Sequence, residues 1–269
     1  MKLFSSPLTS IHYWIVLSFI TFLGKSSLEL HASSKEEELT AGHHLSVRVN
    51  KKNGFFEAIS IRGVPITGFI YIESNRGDET QMNVDDFLYR QSTLAENTEI
   101  AASDHDSLEI KGDLVPLSKI DEPLKFQTSI QSDAEKERLQ FRSTLTPTKE
   151  SSWTYPGGYF INLLLSSNKD RSLRIIDLKG KDRTISLETN WEKSILAQTI
   201  IYPMEEGDLI FEADDNSKIA LQDYRVESSK AGGKILVLRI NANTPWKRTQ
   251  NILMTEKTEF GFSVTYKPH

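Results

Sequence analysis

The run KIALQDYRVE, Lys218 to Glu227, sets an aspartate and an arginine two positions apart in an otherwise strand-like stretch. Alternation puts Ile219, Leu221, Asp223 and Arg225 on one face and Ala220, Gln222, Tyr224 and Val226 on the other. An Asp and an Arg on one face can pair with each other in a partly buried salt bridge. They can also point together at a polyhydroxyl ligand, where charge-assisted hydrogen bonds are the strong ones. Aromatic rings on polar loops would complete such a site. Trp191 stands in ETNWEK and Trp246 follows Pro245 in NTPWKRTQ. An aromatic face suits the apolar C–H face of a sugar ring, and it suits core capping as well. The candidate ligand-binding residues are therefore Trp191, Asp223, Arg225 and Trp246. Trp153, Tyr155 and Tyr159 surround a Pro-Gly-Gly turn, and for Trp153 and Tyr159 the core is the stronger expectation.

Other chemistry finds little support. The sequence has no G-x-S-x-G, H-E-x-x-H or phosphate loop, and catalytic residues remain unidentified. His43-His44 falls in a polar leader, where two side chains alone close no metal site. Asp104-His105-Asp106 could help hold calcium but lacks the remaining ligands, so a plain turn is the simpler reading. Asp214-Asp215-Asn216 reads as a hairpin tip, and Glu205-Glu206 as a solvated turn. No metal and no cofactor is expected. Cysteine is absent, which excludes disulfides and thiol nucleophiles. Thirty-seven acidic against 32 basic residues give a net charge of −5 with no basic cluster, which argues against a nucleic-acid partner.

The elements that must position these residues are strands. WTYPGGYFINLLL, Trp153 to Leu165, has the continuous apolar character of a strand buried on both faces. Leu45, Val47 and Val49 alternate with polar residues, Asn53-Gly54 supplies a hairpin turn, and Phe55 to Ile61 returns. Ile66, Ile70 and Ile72 then point one way while Phe69 and Tyr71 point the other. Further strands are expected near Ile100 and over 107–111, 124–132, 138–145, 173–178, 183–188, 195–202, 209–213, 219–226, 235–242 and 260–266. Val84, Phe87 and Leu88 have the spacing of a short helix. Around fourteen strands separated by turns predict an all-β fold, a large antiparallel sandwich in a single domain over 45–269.

Ahead of it, Lys2 and the apolar run Ile11 to Leu23 have the form of a signal peptide, with the leader over 1–32 and a flexible polar segment over 33–44. A run of 13 residues is short for a membrane span, so none is expected after cleavage, although a retained segment would act as an anchor. Export without cysteines or glycosylation sequons favours a bacterial periplasmic or extracellular protein.

Two segments carry a resemblance. NGFFEAISIRGVPITG, Asn53 to Gly68, resembles the opening hairpin of galactose-mutarotase-like, or supersandwich, domains. Gly207 to Ala242 is similar to strands in the non-catalytic β-sandwich modules of bacterial polysaccharide-processing enzymes. The resemblance implies a supersandwich and a carbohydrate partner, and it carries over no catalytic residue. The function expected is a glycan-binding or accessory module rather than an enzyme. A polysaccharide lyase or hydrolase, and a structural or interaction protein of the envelope, remain open alternatives.

Overall fold

A computed structural model of the chain describes residues 37–75, 88–92, 95–104, 106–116, 122–153, 155–168, 170–225, 235–242, 252–254 and 256–269. The strands are, in chain order, β1 (Glu37–Ala41), β2 (Leu45–Val49), β3 (Phe56–Ile61), β4 (Val64–Pro65), β5 (Thr67–Asn75), β6 (Leu88–Arg90) and β7 (Ala95–Asp104). There follow β8 (Ser107–Leu114), β9 (Leu124–Asp133), β10 (Arg138–Pro147), β11 (Ser151–Trp153), β12 (Tyr155–Leu164), β13 (Ser172–Ile176) and β14 (Asp182–Ser186). The last are β15 (Ile195–Ala197), β16 (Thr199–Pro203), β17 (Gly207–Ala213), β18 (Ser217–Asp223), β19 (Ile235–Ala242), β20 (Ile252–Met254) and β21 (Thr258–Pro268).

All of these pair antiparallel. The first sheet has the order β1-β2-β3-β5-β12-β19-β18-β15, with β4 added on β3 and β6 on β5. The second has the order β14-β13-β16-β17-β21-β10-β9-β8-β7, and β11 with β20 forms a small third sheet. The two large sheets stack their apolar faces. At the centre Phe141 lies flat on Phe262 with ring centroids 4.6 Å apart, and Tyr159 meets Phe262 edge-on at 5.0 Å. The Tyr159 hydroxyl, fully buried, is satisfied by a hydroxyl chain through Ser143 to Thr128. Burial pushes that phenol well up, so it stays protonated.

Strand β12 is buried on both faces, as its unbroken apolar run predicts. Tyr159, Ile161 and Leu163 enter the main core. Phe160, on the opposite face, enters a second and smaller cluster with Phe55, Tyr71 and Val237. Trp153 and Tyr159 are both core residues.

Several elements differ from expectation. The segment read as flexible contains β1, which pairs with β2 and buries Leu39 and Ala41. Its short alternation is nearly hidden by three consecutive glutamates. The stretch 195–202 is two strands: β15 joins the first sheet, and β16, after Gln198, joins the second. Likewise Asp214-Asp215-Asn216 is a corner between sheets, because β17 pairs with β21 while β18 pairs with β19. Of the short helix expected from Val84, Phe87 and Leu88, the first two lie outside the described residues, and Leu88 begins strand β6.

Candidate functional site

Three of the four residues singled out from sequence meet in space. Asp223 ends β18 on the face of Ile219 and Leu221, Arg225 follows just beyond the strand, and both are nearly sealed, at 2% and 9% side-chain exposure. Arg225 donates from Nε to Asp223 Oδ1 at 2.8 Å and from Nη2 to Oδ2 at 2.7 Å. Its remaining reach goes to backbone: Nη2 donates to the Thr189 carbonyl at 2.7 Å and Nη1 to that of Leu187. The Trp191 backbone N–H donates to Asp223 Oδ2 at 3.0 Å, and the Arg225 guanidinium lies 4.9 Å from the Trp191 ring centroid. Burial alone would raise the Asp223 carboxyl. The hydrogen bonds from Arg225 and Trp191 outweigh it and hold the group below the usual carboxylate range. The geometry is that of a clasp, tying the loop over 187–191 to the end of β18. Trp246 lies outside the described residues.

A second group, missed in the sequence, occupies the outer face of the first sheet. Register aligns it in two rows. Tyr71 on β5 faces Phe160 on β12, and Phe160 faces Arg239 on β19. In the next row Arg90 on β6 faces Glu73 on β5, Glu73 faces Gly158 on β12, and Gly158 faces Asn241 on β19. The rings of Tyr71 and Phe160 stack at 5.1 Å with a 12° interplanar angle. Arg90 lies over Tyr71 at 5.4 Å, and Arg239 over Phe160 at 5.1 Å. Arg90 donates to Glu73 Oε2 from Nε at 3.0 Å and from Nη2 at 2.9 Å, while Arg239 approaches Glu73 Oε1 only to 4.0 Å.

Glycine at 158 is required by close approach. A Cβ there would run into the Ile240 carbonyl oxygen and the Tyr155 hydroxyl, which donates to Asn241 Oδ1 at 2.7 Å. Burial pushes the Tyr71 and Tyr155 phenols well up, so both are neutral donors at ordinary pH. For Arg239, burial works against the charge, but attraction to the Glu73 carboxylate leads the opposing causes and the group is raised. Among the described residues the face thus sets two cations, one carboxylate, an amide and neutral phenols around stacked aromatic rings, and Tyr71, Glu73, Tyr155, Phe160 and Asn241 are buried. The signal in the sequence was a single charged residue interrupting each apolar strand: Glu73 in FIYIES and Arg239 in ILVLRINA.

The outer face of the second sheet carries a groove of about 910 Å³, lined by Gln127, Ser129, Arg142, Thr144, Glu212 and Asp214 among others. Its one inter-element ion pair, Arg142 Nε to Asp214 Oδ2, is long at 3.3 Å. At the turn end of the sandwich, His44 is not merely solvated. Its Nδ1 lies 2.6 Å from Glu137 Oε1, and Arg62 Nη2 lies 2.9 Å from its Nε2. A guanidinium only donates, so Nε2 accepts and Nδ1 carries the proton given to Glu137. Arg62 also pairs with Glu206, which is exposed in the turn between β16 and β17, as expected. Among the described residues no group of three or more His, Asp and Glu is arranged to hold a metal ion. No helix among them is long and apolar enough to cross a membrane.

No protein-family model matches the chain, and a search of curated proteins finds no match. Solved structures do match its backbone. A putative aldose 1-epimerase from Escherichia coli K12 superposes with a TM-score of 0.56, over 87% of this chain and 100% of its own, at 11% identity. A galactose mutarotase related enzyme from Lactobacillus acidophilus gives 0.57 over 86% and 97%, at 7% identity. The fold is galactose-mutarotase-like. A GalM/aldose epimerase homologue from C. elegans adds a TM-score of 0.56 over 88% and 99%, at 8% identity. Identities this low show a shared fold and nothing finer. The resemblance carried by Asn53 to Gly68 therefore holds at the level of architecture.

Proposed function

We propose that this chain is an exported carbohydrate-binding β-sandwich, a glycan-binding or accessory module, and that it holds sugar on the outer face of its first sheet. The observation that supports the reading is the aligned set Tyr71, Phe160, Arg239 and Glu73, Asn241 on rigid neighbouring strands, buried except for Arg239, whose partly exposed guanidinium is the donor a sugar hydroxyl can reach. Sugar rims carry hydroxyls that such a fixed donor can meet. The solved structures of like fold include sugar epimerases and their relatives by name, which supports the carbohydrate class.

Binding is favoured over turnover for two reasons. Glu73 is committed to two guanidinium groups and is not a free base. The described histidines stand elsewhere, His43 and His44 beside Glu137 and His269 by Asp208. The signal-like leader supports a periplasmic or extracellular location.

A glycan array with the secreted chain tests this directly. Binding that falls at least tenfold in Phe160→Ala, with Trp191→Ala and Trp246→Ala unchanged, assigns the sugar to the outer face. Loss in Trp191→Ala instead would move it to the loop beside the Asp223–Arg225 clasp, and loss in Trp246→Ala would assign it to that tryptophan. New reducing ends or unsaturated products appearing during incubation would replace the module reading with that of a glycan-active enzyme. No binding at all would remove the carbohydrate reading.

A further inference from the structure

The second sheet ends on one side at β14, which among the described residues pairs with β13 alone. Exposed edges are usually blunted against pairing with another chain, and the other ends of the two sheets are. β7 is broken by two register shifts, β1 carries Glu37 and Glu38, and β15 has only three residues. β14 instead keeps unbroken register with β13 over all five of its residues, four of them exposed. Two hydrogen bonds just beyond the ladder fix which backbone groups it leaves free. The Leu187 N–H donates to the Arg171 carbonyl at 2.8 Å, and the Asp177 N–H donates to the Lys181 carbonyl at 3.0 Å. Bonded pairs recur at every second residue of an antiparallel ladder, so Ile185 and Arg183 also turn their backbone groups to β13. The N–H and C=O groups of Asp182, Thr184 and Ser186 therefore point away from the sheet, where no described group meets them.

We propose that this edge joins two copies of the chain, with their β14 strands pairing antiparallel about a two-fold axis at Thr184. The free groups set the register. With Thr184 opposite the partner's Thr184, and Asp182 opposite the partner's Ser186, every outward N–H and C=O on both strands is met. A two-fold contact requires a surface that complements itself, and the flanks of β14 do so. The same register sets Gly180, between Lys179 and Lys181, opposite the partner's Glu188. Neither Lys181 nor Glu188 forms an ion pair among the described residues. Arg183 comes opposite the partner's Ile185, a half-exposed side chain that the arginine stem can cover. The hairpin tip, where Leu178 is 48% exposed, lies beside the partner's loop over 187–191. This match of charge and apolar cover selects a second copy over an unrelated strand, which would meet the backbone alone. The proposal is independent of the sugar-binding reading.

Sedimentation equilibrium of the full chain tests it. A monomer–dimer equilibrium is expected, with a dissociation constant on the order of 1–100 μM, as suits so small an interface. Thr184→Lys sets two like charges directly across the axis, and Thr184→Glu does the same with the opposite sign. Each should weaken the dimer by about tenfold or more. An equimolar mixture of the two variants should recover association to within about threefold of the wild type, as a heterodimer. A variant that failed to fold would not recover on mixing, so rescue distinguishes a lost contact from a lost fold. Thr184→Pro removes the central outward N–H and no bond of the β13–β14 ladder. It should also yield a monomer, with its far-ultraviolet circular dichroism unchanged.

A wild-type chain that stays monomeric up to about 1 mM would overturn the proposal. A dimer left intact by both Thr184→Lys and Thr184→Pro would place the contact elsewhere and overturn it as well. Failure of the Thr184→Lys and Thr184→Glu variants to associate when mixed would remove the axis at Thr184, and the proposal with it.

Discussion

Asp223 and Arg225 show how two residues can be brought together as their spacing suggests and still leave their task open. Period two puts both on the face of Ile219 and Leu221; Asp223 is there, at the end of β18, while Arg225 lies beyond the strand and folds back onto the Asp223 carboxylate. What spacing could not show is that the Leu187 and Thr189 carbonyls and the Trp191 N–H would meet them. Those groups come from a loop more than thirty residues away, and a one-dimensional pattern carries no such distance. The pair is nearly sealed, so breaking it should be costly: Asp223→Asn is expected to lose roughly 3 kcal/mol of unfolding free energy at neutral pH, measured by urea denaturation. The carboxyl is depressed in the folded state, so the unfolded chain binds the proton first as pH falls. Its contribution is therefore complete above the ordinary aspartate value of about 3.9 and is lost below it. The stability gap between wild type and Asp223→Asn should stay constant near neutrality and close as the pH drops beneath that value. Glu73→Gln should behave as a second case. It strips the only described carboxylate from Arg90 and Arg239, and a loss of roughly 3–5 kcal/mol is expected in the same assay.

At the scale of elements, hydrophobic period gave strand existence well and sheet membership poorly. β19 runs Ile235–Ala242, the bounds its apolar run suggests, and β12 is buried on both faces for the reason its sequence gives. Yet 195–202 divides at Gln198 between two sheets, since both halves stay apolar through the crossing and the pattern registers no change. The charged outer face went unread for a related reason. Glu73, Arg90 and Arg239 sit singly in three separate strands, and only register brings them side by side. β1 was hidden because its inward residues are few, Leu39 and Ala41, behind acidic neighbours. They are nevertheless core residues, and Ser132 Oγ donates to the Thr40 carbonyl at 2.6 Å, fastening β1 to the second sheet. A chain shortened to begin at Leu45 should therefore lose about 2–5 kcal/mol, the range for removing a buried leucine, and expose β2 as a new edge. Equal urea midpoints for the two chains would show that β1 contributes nothing. Gly158→Ala makes the complementary test within β12. The clash with the Ile240 carbonyl forces the β12–β19 ladder apart, and a loss of about 1–3 kcal/mol is expected.

For the molecule as a whole, the deciding feature is that one apolar cluster runs through both sheets, from Leu39 and Ala41 on β1 to Tyr266 on β21. Chain crossings reinforce it. The corner over 214–216 passes the chain from β17 in the second sheet to β18 in the first, and Gln198 passes it the other way. Neither sheet can release its inner face without exposing that of its partner, so the sandwich should unfold in one step. Trp191 reports on the clasp beside β18, and Trp153 on the core next to Tyr89, 5.1 Å away. Tryptophan fluorescence and far-ultraviolet circular dichroism should therefore give one coincident urea transition. If the clasp end were an independent unit, fluorescence would change at lower urea than the backbone signal. A ligand seated on the outer face would act on this same single transition, because it binds folded ladders that exist only while both sheets are closed. At a hundred times its dissociation constant it should add about 2.7 kcal/mol to unfolding and move both signals together. A ligand that shifted only one of them would be reporting a local rearrangement, and the sandwich would then have to be treated as two cooperative units joined at β12.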